Sequence, residues 1–177
     1  MSDSSAKDVG ARFKLHSAMV YRRALRLLGR KEDAEEATQE VFVRVMRGLS
    51  QFDGRSSMST WLYQITTNYC LNQLRDRNRR RDLFGQNMVA DEGRPEASVT
   101  ELLLLRRLLA EAEEQQAKAA IYVYLDGMSH EEAAELLGVS KRTVGNLIER
   151  FLAWAQKRST PLAPEGGPAV GRAEVKK

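Results

Sequence analysis

The sequence contains little that could carry out chemistry on its own. Cys70 is the single cysteine among 177 residues, and the two histidines, His16 and His130, lie far apart in the chain. One cysteine excludes a disulfide framework and a cysteine-rich metal site. We also find no glycine-rich phosphate-binding loop and no paired nucleophile and base. The composition therefore predicts a protein with no catalytic residues, no metal and no cofactor, in a reducing compartment.

Long apolar runs are missing as well. The N-terminal stretch MSDSSAKDVGARFKLH lacks the apolar centre of a signal peptide. The LLLL run at residues 102–105 is followed at once by two arginines, so no segment is long enough to span a membrane. Lysine and arginine total 28 against 24 acidic residues, a formal net charge of +4 that by itself identifies no partner. These features predict a cytoplasmic protein without membrane insertion.

Prolines, which interrupt helices, are also few. The four prolines, at residues 95, 161, 164 and 168, all lie outside the segments in which apolar residues recur at helical spacing. Few β-branched runs alternate with a period of two, so the sequence predicts an all-α protein. Residues 82–97 include Gly85, Gly93 and Pro95 and show no sustained period. We expect two small helical domains, residues 1–81 and 98–157, joined by a flexible linker over residues 82–97 and followed by a disordered tail over residues 158–177.

Capping residues and glycines predict where the first helices begin and end. The first helical stretch covers about residues 11–28 and stops at Gly29. Asp33 is the predicted N-cap of a second helix, which runs to Arg47. Ser59 or Thr60 is the predicted N-cap of a third helix.

The stretch SHEEAAELLGVSKRTVGNLIERF, residues 129–151, predicts two short helices joined by a tight turn. Ser129 and Glu132 match a capping box. Gly138 can take the left-handed conformation that ends a helix, and Ser140 can cap the next helix. The polar face of that second helix carries Arg142, Asn146, Glu149 and Arg150. In a DNA-binding helix-turn-helix this face lies in the major groove, where Arg and Asn bond base edges. We favour DNA binding over an ordinary helical hairpin with solvated charges.

One face of the helix predicted over residues 60–81, TWLYQITTNYCLNQLRDRNRRR, combines aromatic, amide and guanidinium groups. At 100° per residue, five side chains fall within about 40° of one line: Trp61, Asn68, Asn72, Arg75 and Arg79. Asparagine is a poor helix former. Amides can nevertheless read base edges, aromatic rings stack on unpaired bases, and arginines hold phosphates. Two interpretations stay open: a surface that binds an opened DNA strand, or a core tryptophan beside solvated polar residues.

The preceding stretch, DAEEATQEVFVRVMRGL at residues 33–49, predicts an amphipathic helix. The residues expected to face inward are Ala37, Val41, Phe42 and Val45. The outer face is mostly acidic and carries Glu35, Glu36, Gln39, Glu40 and Arg44. Such a face can be solvated or can dock a basic partner helix, and the pattern alone does not decide between these.

Taken together and in this order, the three segments resemble a bacterial RNA polymerase sigma factor of the sigma-70 family, in the extracytoplasmic-function (ECF) group. The resemblance covers about residues 11–81 and 98–155. The segment DAEEATQEVFVRV resembles the family's helix that binds the polymerase clamp helices. The segment FDGRSSMSTWLYQITTNYCLNQLRDRNRRR resembles the part that melts and reads the −10 element. YLDGMSHEEAAELLGVSKRTVGNLIERF resembles region 4, which reads the −35 element.

The resemblance implies a transcription initiation factor that is not itself an enzyme. Its implied partners are core RNA polymerase, through the clamp helices and the flap, promoter DNA, and an anti-sigma factor. The implied −10 contacts are Trp61, Asn68, Asn72, Arg75, Arg79 and Arg80. The implied −35 contacts are Lys141, Arg142, Thr143, Asn146 and Arg150. The implied polymerase contacts are Glu36, Gln39, Glu40 and Phe42. The chain departs from the family pattern at Gly145, where members usually carry Lys or Arg.

Two other functions fit parts of the sequence. A conventional helix-turn-helix regulator with an N-terminal sensing or dimerising domain would not need Trp61, Asn68 and Asn72 on one face. A helical protein-interaction module would not need the arginine cluster at residues 75–81. We therefore expect a sigma factor.

Overall fold

The structure, a computed structural model, describes residues 3–49, 52, 54, 56–84 and 97–159. These residues form seven α-helices and contain no strand, which confirms the all-α prediction. The helices are α1 Asp3–Leu28, α2 Lys31–Gly48, α3 Met58–Phe84, α4 Ala97–Glu111, α5 Glu114–Ala120, α6 His130–Leu137 and α7 Lys141–Ser159. Most of the predicted linker and tail lies outside the described residues, although α3 continues past Arg81 to Phe84. Below, α1–α3 are called the N-terminal half and α4–α7 the C-terminal half.

The predicted ends of α6 and the predicted cap of α7 are confirmed. Ser129 and Glu132 form both hydrogen bonds of a capping box at the start of α6, and Gly138 ends that helix with φ of 66°. The Ser140 hydroxyl accepts from the Thr143 backbone N–H at 3.1 Å, which caps α7.

The N-terminal half agrees at one helix end and differs at two others. Gly29, with φ of 85°, follows the last residue of α1 as predicted. The predicted cap at Asp33 is wrong, because this residue lies in the first turn of α2 and its carboxylate pairs with Arg77 at 2.5 Å. The caps predicted for α3 are also wrong. The helix begins at Met58, and the Ser57 hydroxyl accepts from the Thr60 backbone N–H at 3.1 Å.

Apolar faces of three helices form the core of the N-terminal half. Val20 of α1, Val41 of α2 and Leu62 of α3 are almost completely buried, and each helix packs against the other two. The side chains predicted to face inward from α2 are all buried: Ala37, Val41, Phe42 and Val45. Burying side chains of this size contributes roughly 1.5–3 kcal/mol each, so this contact fixes which face of α2 and of α3 remains exposed.

The core of the C-terminal half forms where α5, α6 and α7 meet. Ala133 of α6 and Val144 of α7 are fully buried, and Ile121 and Tyr122 pack with them. These last two residues open a π-helical turn, Ile121–Leu125, that extends α5. Turns of this kind often occur at functional sites. Here the turn is closed by a hydrogen bond of 3.0 Å from the Asp126 N–H to the Ile121 carbonyl, which positions the Asp126 side chain.

The two halves also contact each other. Arg23 of α1 donates from Nη1 to Asp126 Oδ1 at 2.9 Å, and the two side chains are only 5% and 7% exposed. On α4, Arg106 donates from Nε to the Leu27 carbonyl at 2.9 Å, at the C-terminal end of α1. The sequence predicts two domains and a linker, but these contacts between the halves were not among its predictions.

Candidate nucleic-acid and polymerase interfaces

The exposed face of α3 carries the residues predicted to read opened DNA. Asn68 and Asn72 are exposed, and their amides form no hydrogen bond with the residues that the structure describes. Trp61 is half-buried: its ring lies 5.0 Å from that of Phe52, and the space beside Gly48 is closed by the same indole. One side of the indole is therefore fixed by packing, while the neighbouring amides stay available to a ligand.

Two buried threonines on α3 form hydrogen bonds within the helix. The Thr66 hydroxyl donates to the Leu62 carbonyl at 2.7 Å, and the Thr67 hydroxyl donates to the Tyr63 carbonyl at 2.8 Å. These bonds satisfy both hydroxyls inside the core. Thr66, Cys70 and Leu74 are buried on the side of α3 opposite Asn68 and Asn72, so these two amides are directed outward.

The arginines at the end of α3 divide into two groups. Arg79 and Arg80 are exposed, as a phosphate-binding role requires. Arg75 is half-buried: it donates to the Ala112 carbonyl at 3.4 Å and lies 3.7 Å from the Glu114 carboxylate. In this arrangement Arg75 is therefore bound to the C-terminal half and is not available to DNA.

Further residues of α3 contact the C-terminal half. Gln64 donates from Nε2 to the Leu136 carbonyl at 2.7 Å, at the end of α6. Asn78 is buried and donates to Glu111 at 3.5 Å, and Glu111 also pairs with Arg158 of α7. Sequence reasoning gave no role to Gln64 or Asn78. The one available signal is that both lie beside the predicted −10 residues on the same helix.

Three of the four predicted polymerase contacts lie on the outer face of α2. Glu36 and Gln39 are exposed. Glu40 is partly exposed, and its carboxylate accepts from Arg44 Nε at 3.0 Å. Pairs of this kind four residues apart contribute only about 0.3–0.5 kcal/mol on an exposed helix, so the carboxylate can exchange this partner for another.

Phe42, the fourth predicted polymerase contact, lies in the core. Its side chain is only 5% exposed, because it is on the inward side of α2. Two apolar residues that sequence reasoning did not single out, Val43 and Met46, are exposed on this helix instead. The surface that α2 offers to a partner is therefore acidic with an apolar margin.

The exposed face of α7 carries three of the five predicted −35 contacts as unengaged side chains. Arg142, Asn146 and Arg150 are exposed and form no hydrogen bond or ion pair within the described part of the chain. Glu149 lies on the same face and is equally unpaired among the described residues. This surface is polar and open, as a major-groove helix requires.

The two remaining −35 candidates already have partners at the start of α7. Lys141 forms an ion pair with Glu131 of α6. Thr143 shares a hydrogen bond of 2.8 Å with the Ser140 hydroxyl, within the helix cap. Both residues thus stabilise the turn between α6 and α7, and any DNA contact from them would compete with these bonds.

A buried cluster between the halves surrounds Arg23. Besides Asp126, its guanidinium donates from Nε to Thr67 Oγ1 at 2.9 Å and stacks 3.5 Å from the ring centre of Tyr63. Burial, followed by the hydrogen bond to Asp126, raises the pKa of the Tyr63 hydroxyl well above its ordinary value. One nitrogen of Arg23 and one carboxylate oxygen of Asp126 remain buried without a hydrogen-bond partner. The cluster therefore joins the halves by charge, with incomplete hydrogen bonding.

The described residues contain no other chemical centre. They include no group of three histidines, cysteines or acids that could hold a metal ion. Cys70 is fully buried, and this burial raises the pKa of its thiol to about 12, as for an unreactive structural residue. Within the described ranges, no helix is long and apolar enough to cross a membrane.

Family comparisons agree with this division into two helical units. The family model for sigma-70 region 2 matches residues 13–80, which include the exposed faces of α2 and α3. The model for sigma-70 region 4 matches residues 102–153, which include the helix-turn-helix of α6 and α7.

Individual relatives of the chain are also sigma factors. The chain is 33% identical over 142 residues to the ECF RNA polymerase sigma factor SigE of Mycolicibacterium smegmatis, a match that covers 76% of this chain and 55% of that protein. It is 30% identical over 141 residues to the RNA polymerase sigma factor YlaC of Bacillus subtilis, covering 73% of this chain and 79% of that protein. The fold is similar to that of the sigma factor RpoE in a complex with the anti-sigma factor NepR from Bartonella quintana. That structure has a TM-score of 0.52 and 23% identity, and the match covers 85% of this chain and 96% of that chain. The chain belongs to the sigma-70 family, in the group of ECF sigma factors.

Proposed function

We propose that this chain directs core RNA polymerase to specific promoters and initiates transcription there. In this proposal α3 reads the −10 element and α7 reads the −35 element. The observation that carries it is that two separate helices, matched by two different sigma regions, each expose a face of unengaged polar side chains. A conventional regulator would need the face on α7 but not the one on α3.

The α3 face is suited to a DNA strand whose bases are exposed. Amides of Asn68 and Asn72 can read base edges, and the half-buried Trp61 offers an aromatic ring on which a base can stack for about 1–3 kcal/mol. Arg79 and Arg80 can hold the phosphates of the adjoining duplex. Opening would then be driven by binding energy alone, so we propose that the protein is not an enzyme.

Reading both elements at once requires the halves to separate. Elements centred about 25 base pairs apart lie roughly 85 Å apart on B-DNA, at 3.4 Å per base pair. Gln64 of α3 and the end of α6 are in direct hydrogen-bond contact. The two reading helices therefore cannot span a promoter in this arrangement, and Arg75 must leave Glu114 before it can reach a phosphate.

Polymerase and an anti-sigma factor are the proposed protein partners. The acidic face of α2, with Glu36, Gln39 and Glu40, suits basic groups on the polymerase clamp helices, while the C-terminal half would contact the flap. Control by an anti-sigma factor is supported by the similar RpoE fold, which was solved bound to one. Since polymerase and promoters are cytoplasmic, we place the action of this chain in the cytoplasm.

Run-off transcription tests this proposal directly. Purified chain and bacterial core polymerase are combined with a promoter library, and transcripts are sequenced. We expect initiation at a defined subset of promoters only when the chain is present. The Asn68→Ala/Asn72→Ala variant should lose this initiation, whereas Glu135→Gln, an exposed change on α6, should keep it. If the chain bound duplex DNA alone and never supported initiation by core polymerase, it would be a conventional regulator instead.

A further inference from the structure

Gly145 lies in the second turn of α7 for no reason that the fold provides. Glycine inside a helix is less stable than alanine, because it has more conformational freedom to lose. Its φ is not in the left-handed region, so the backbone does not require glycine. A Cβ atom at this position would meet only His130 Nδ1, at 4.0 Å, which is an ordinary contact. Packing therefore does not require glycine either.

The missing side chain contributes to an open cleft of about 540 Å³ on the exposed face of α7. The cleft is lined by His130, Lys141, Arg142, Gly145, Asn146 and Glu149. At Gly145 only the helix backbone lies beneath it. A base edge can thus approach the helix more closely here than at a position that bears a side chain.

Glu149 follows Gly145 by one helical turn, on the rim of the same cleft. Its carboxylate is exposed and has no ion-pair partner among the described residues. An unpaired carboxylate on a DNA-facing surface is repelled by phosphates. A hydrogen bond accepted from a base would offset this repulsion.

The bases differ in what they offer a carboxylate in the major groove. Guanine and thymine present acceptors, which repel it, and adenine places an acceptor beside its amino group. Cytosine presents an amino donor and no acceptor of its own. A carboxylate at position 149 therefore favours cytosine.

We propose, on the basis of the proposed function, that Gly145 and Glu149 form a cytosine-reading site within the −35 element. The cleft at Gly145 admits the base edge, and the Glu149 carboxylate accepts a hydrogen bond from the N4 amino group. Asn146 lies on the same exposed face and suits adenine at a neighbouring position.

Selection of promoters from a library randomised across the −35 element tests this site. The full-length chain is used with core polymerase, and wild type should enrich cytosine at one position. Glu149→Ala should lower that enrichment about tenfold, the size expected for one good base contact, while binding to unrelated duplex DNA becomes tighter. Glu149→Gln should move the preference at the same position from cytosine to adenine, because an amide pairs with both groups of the adenine edge.

Gly145→Ala separates reading from folding. Removing a helical glycine should raise the melting temperature by about 2–4 °C, yet the added methyl group should reduce the cytosine enrichment. Glu135→Ala removes the same charge from an exposed site outside the cleft and should leave the selected bases unchanged.

Three outcomes would overturn the site. These are wild-type selection without cytosine in the upstream element, an unchanged cytosine preference in Glu149→Ala, and an unchanged preference in Gly145→Ala. A wild-type chain that supports no initiation at all would overturn the proposed function together with the site. Initiation with an upstream preference indifferent to Glu149 would overturn the site alone.

Discussion

Replacing Asp126 with alanine tests how strongly the two halves are joined. The change removes the carboxylate that Arg23 contacts at 2.9 Å and leaves a guanidinium that is almost completely buried. With an effective dielectric constant near 20, the attraction at this distance is about 6 kcal/mol before desolvation is subtracted. Removing one partner of a buried pair costs about 3–5 kcal/mol, because the other charge stays buried. Arg23 keeps Thr67 and the Tyr63 ring as partners, so we expect the lower end, about 3 kcal/mol.

The assay combines urea unfolding, followed by circular dichroism, with small-angle X-ray scattering. Because the pair joins the halves, Asp126→Ala should lower the free energy of unfolding, or increase the radius of gyration if the halves separate while each stays folded. Arg23→Met should behave similarly. The double variant should be less destabilised than the sum of the two single changes, since neither charge is then left alone.

An exposed pair provides the control. Asp76 and Arg79 lie 4.0 Å apart on the surface of α3, with side chains 52% and 73% exposed. Asp76→Ala should change the free energy of unfolding by less than about 0.5 kcal/mol. If Asp126→Ala resembled this control in both stability and radius of gyration, the buried pair would not hold the halves together.

Three further predictions concern the interfaces. Glu40→Lys should weaken binding to core polymerase in a pull-down. Glu135→Lys makes the same charge change on α6 and should not weaken it. Equal binding by both variants would exclude the α2 face as the polymerase-binding surface. Trp61→Ala and Asn68→Ala should both slow open-complex formation. If the Trp61 ring serves opening and the Asn68 amide serves base reading, as proposed, a pre-melted −10 bubble should rescue the Trp61 variant more. Equal rescue would remove that distinction. Asn146→Ala should relax base preference at one or two −35 positions, a loss of about 1–3 kcal/mol of discrimination. Selections from a randomised promoter library measure this. A change confined to the −10 bases would contradict the assignment of Asn146 to the −35 element.

Local features of the fold follow from the sequence because their causes are local. A capping box at Ser129 and Glu132 and a left-handed glycine at 138 depend on residues a few positions apart. The inward and outward faces of α2 follow from helical spacing. Helical spacing also predicts the burial of Phe42, whereas the family resemblance implies that this residue contacts the polymerase. The role of a residue and its orientation are thus separate questions.

Contacts between the halves do not follow from local rules. Arg23 and Asp126 are 103 positions apart, and neither stands out in its own segment. Asp33 has the side chain of an N-cap, but a tertiary pairing with Arg77 occupies it. In the candidate −35 site, sequence reasoning noted Gly145 as a departure from the family pattern and Glu149 only as a member of the polar face. The open space beside Gly145 depends on how α6 packs against α7, which local sequence rules do not determine.

Arg106 of α4 caps two backbone carbonyls at the C-terminal end of α1. Its guanidinium donates to the carbonyls of Leu27 and Arg26 and fills the space where a side chain at Gly29 would lie, since a Cβ there would be 2.5 Å from the Arg106 Cζ. A cation at this end also interacts favourably with the helix dipole. Because Arg106 belongs to α4, the cap is lost whenever the C-terminal half moves away. We expect the last turn of α1 to fray in that case, so that faster amide hydrogen exchange at Leu28 and Gly29 would report separation of the two halves.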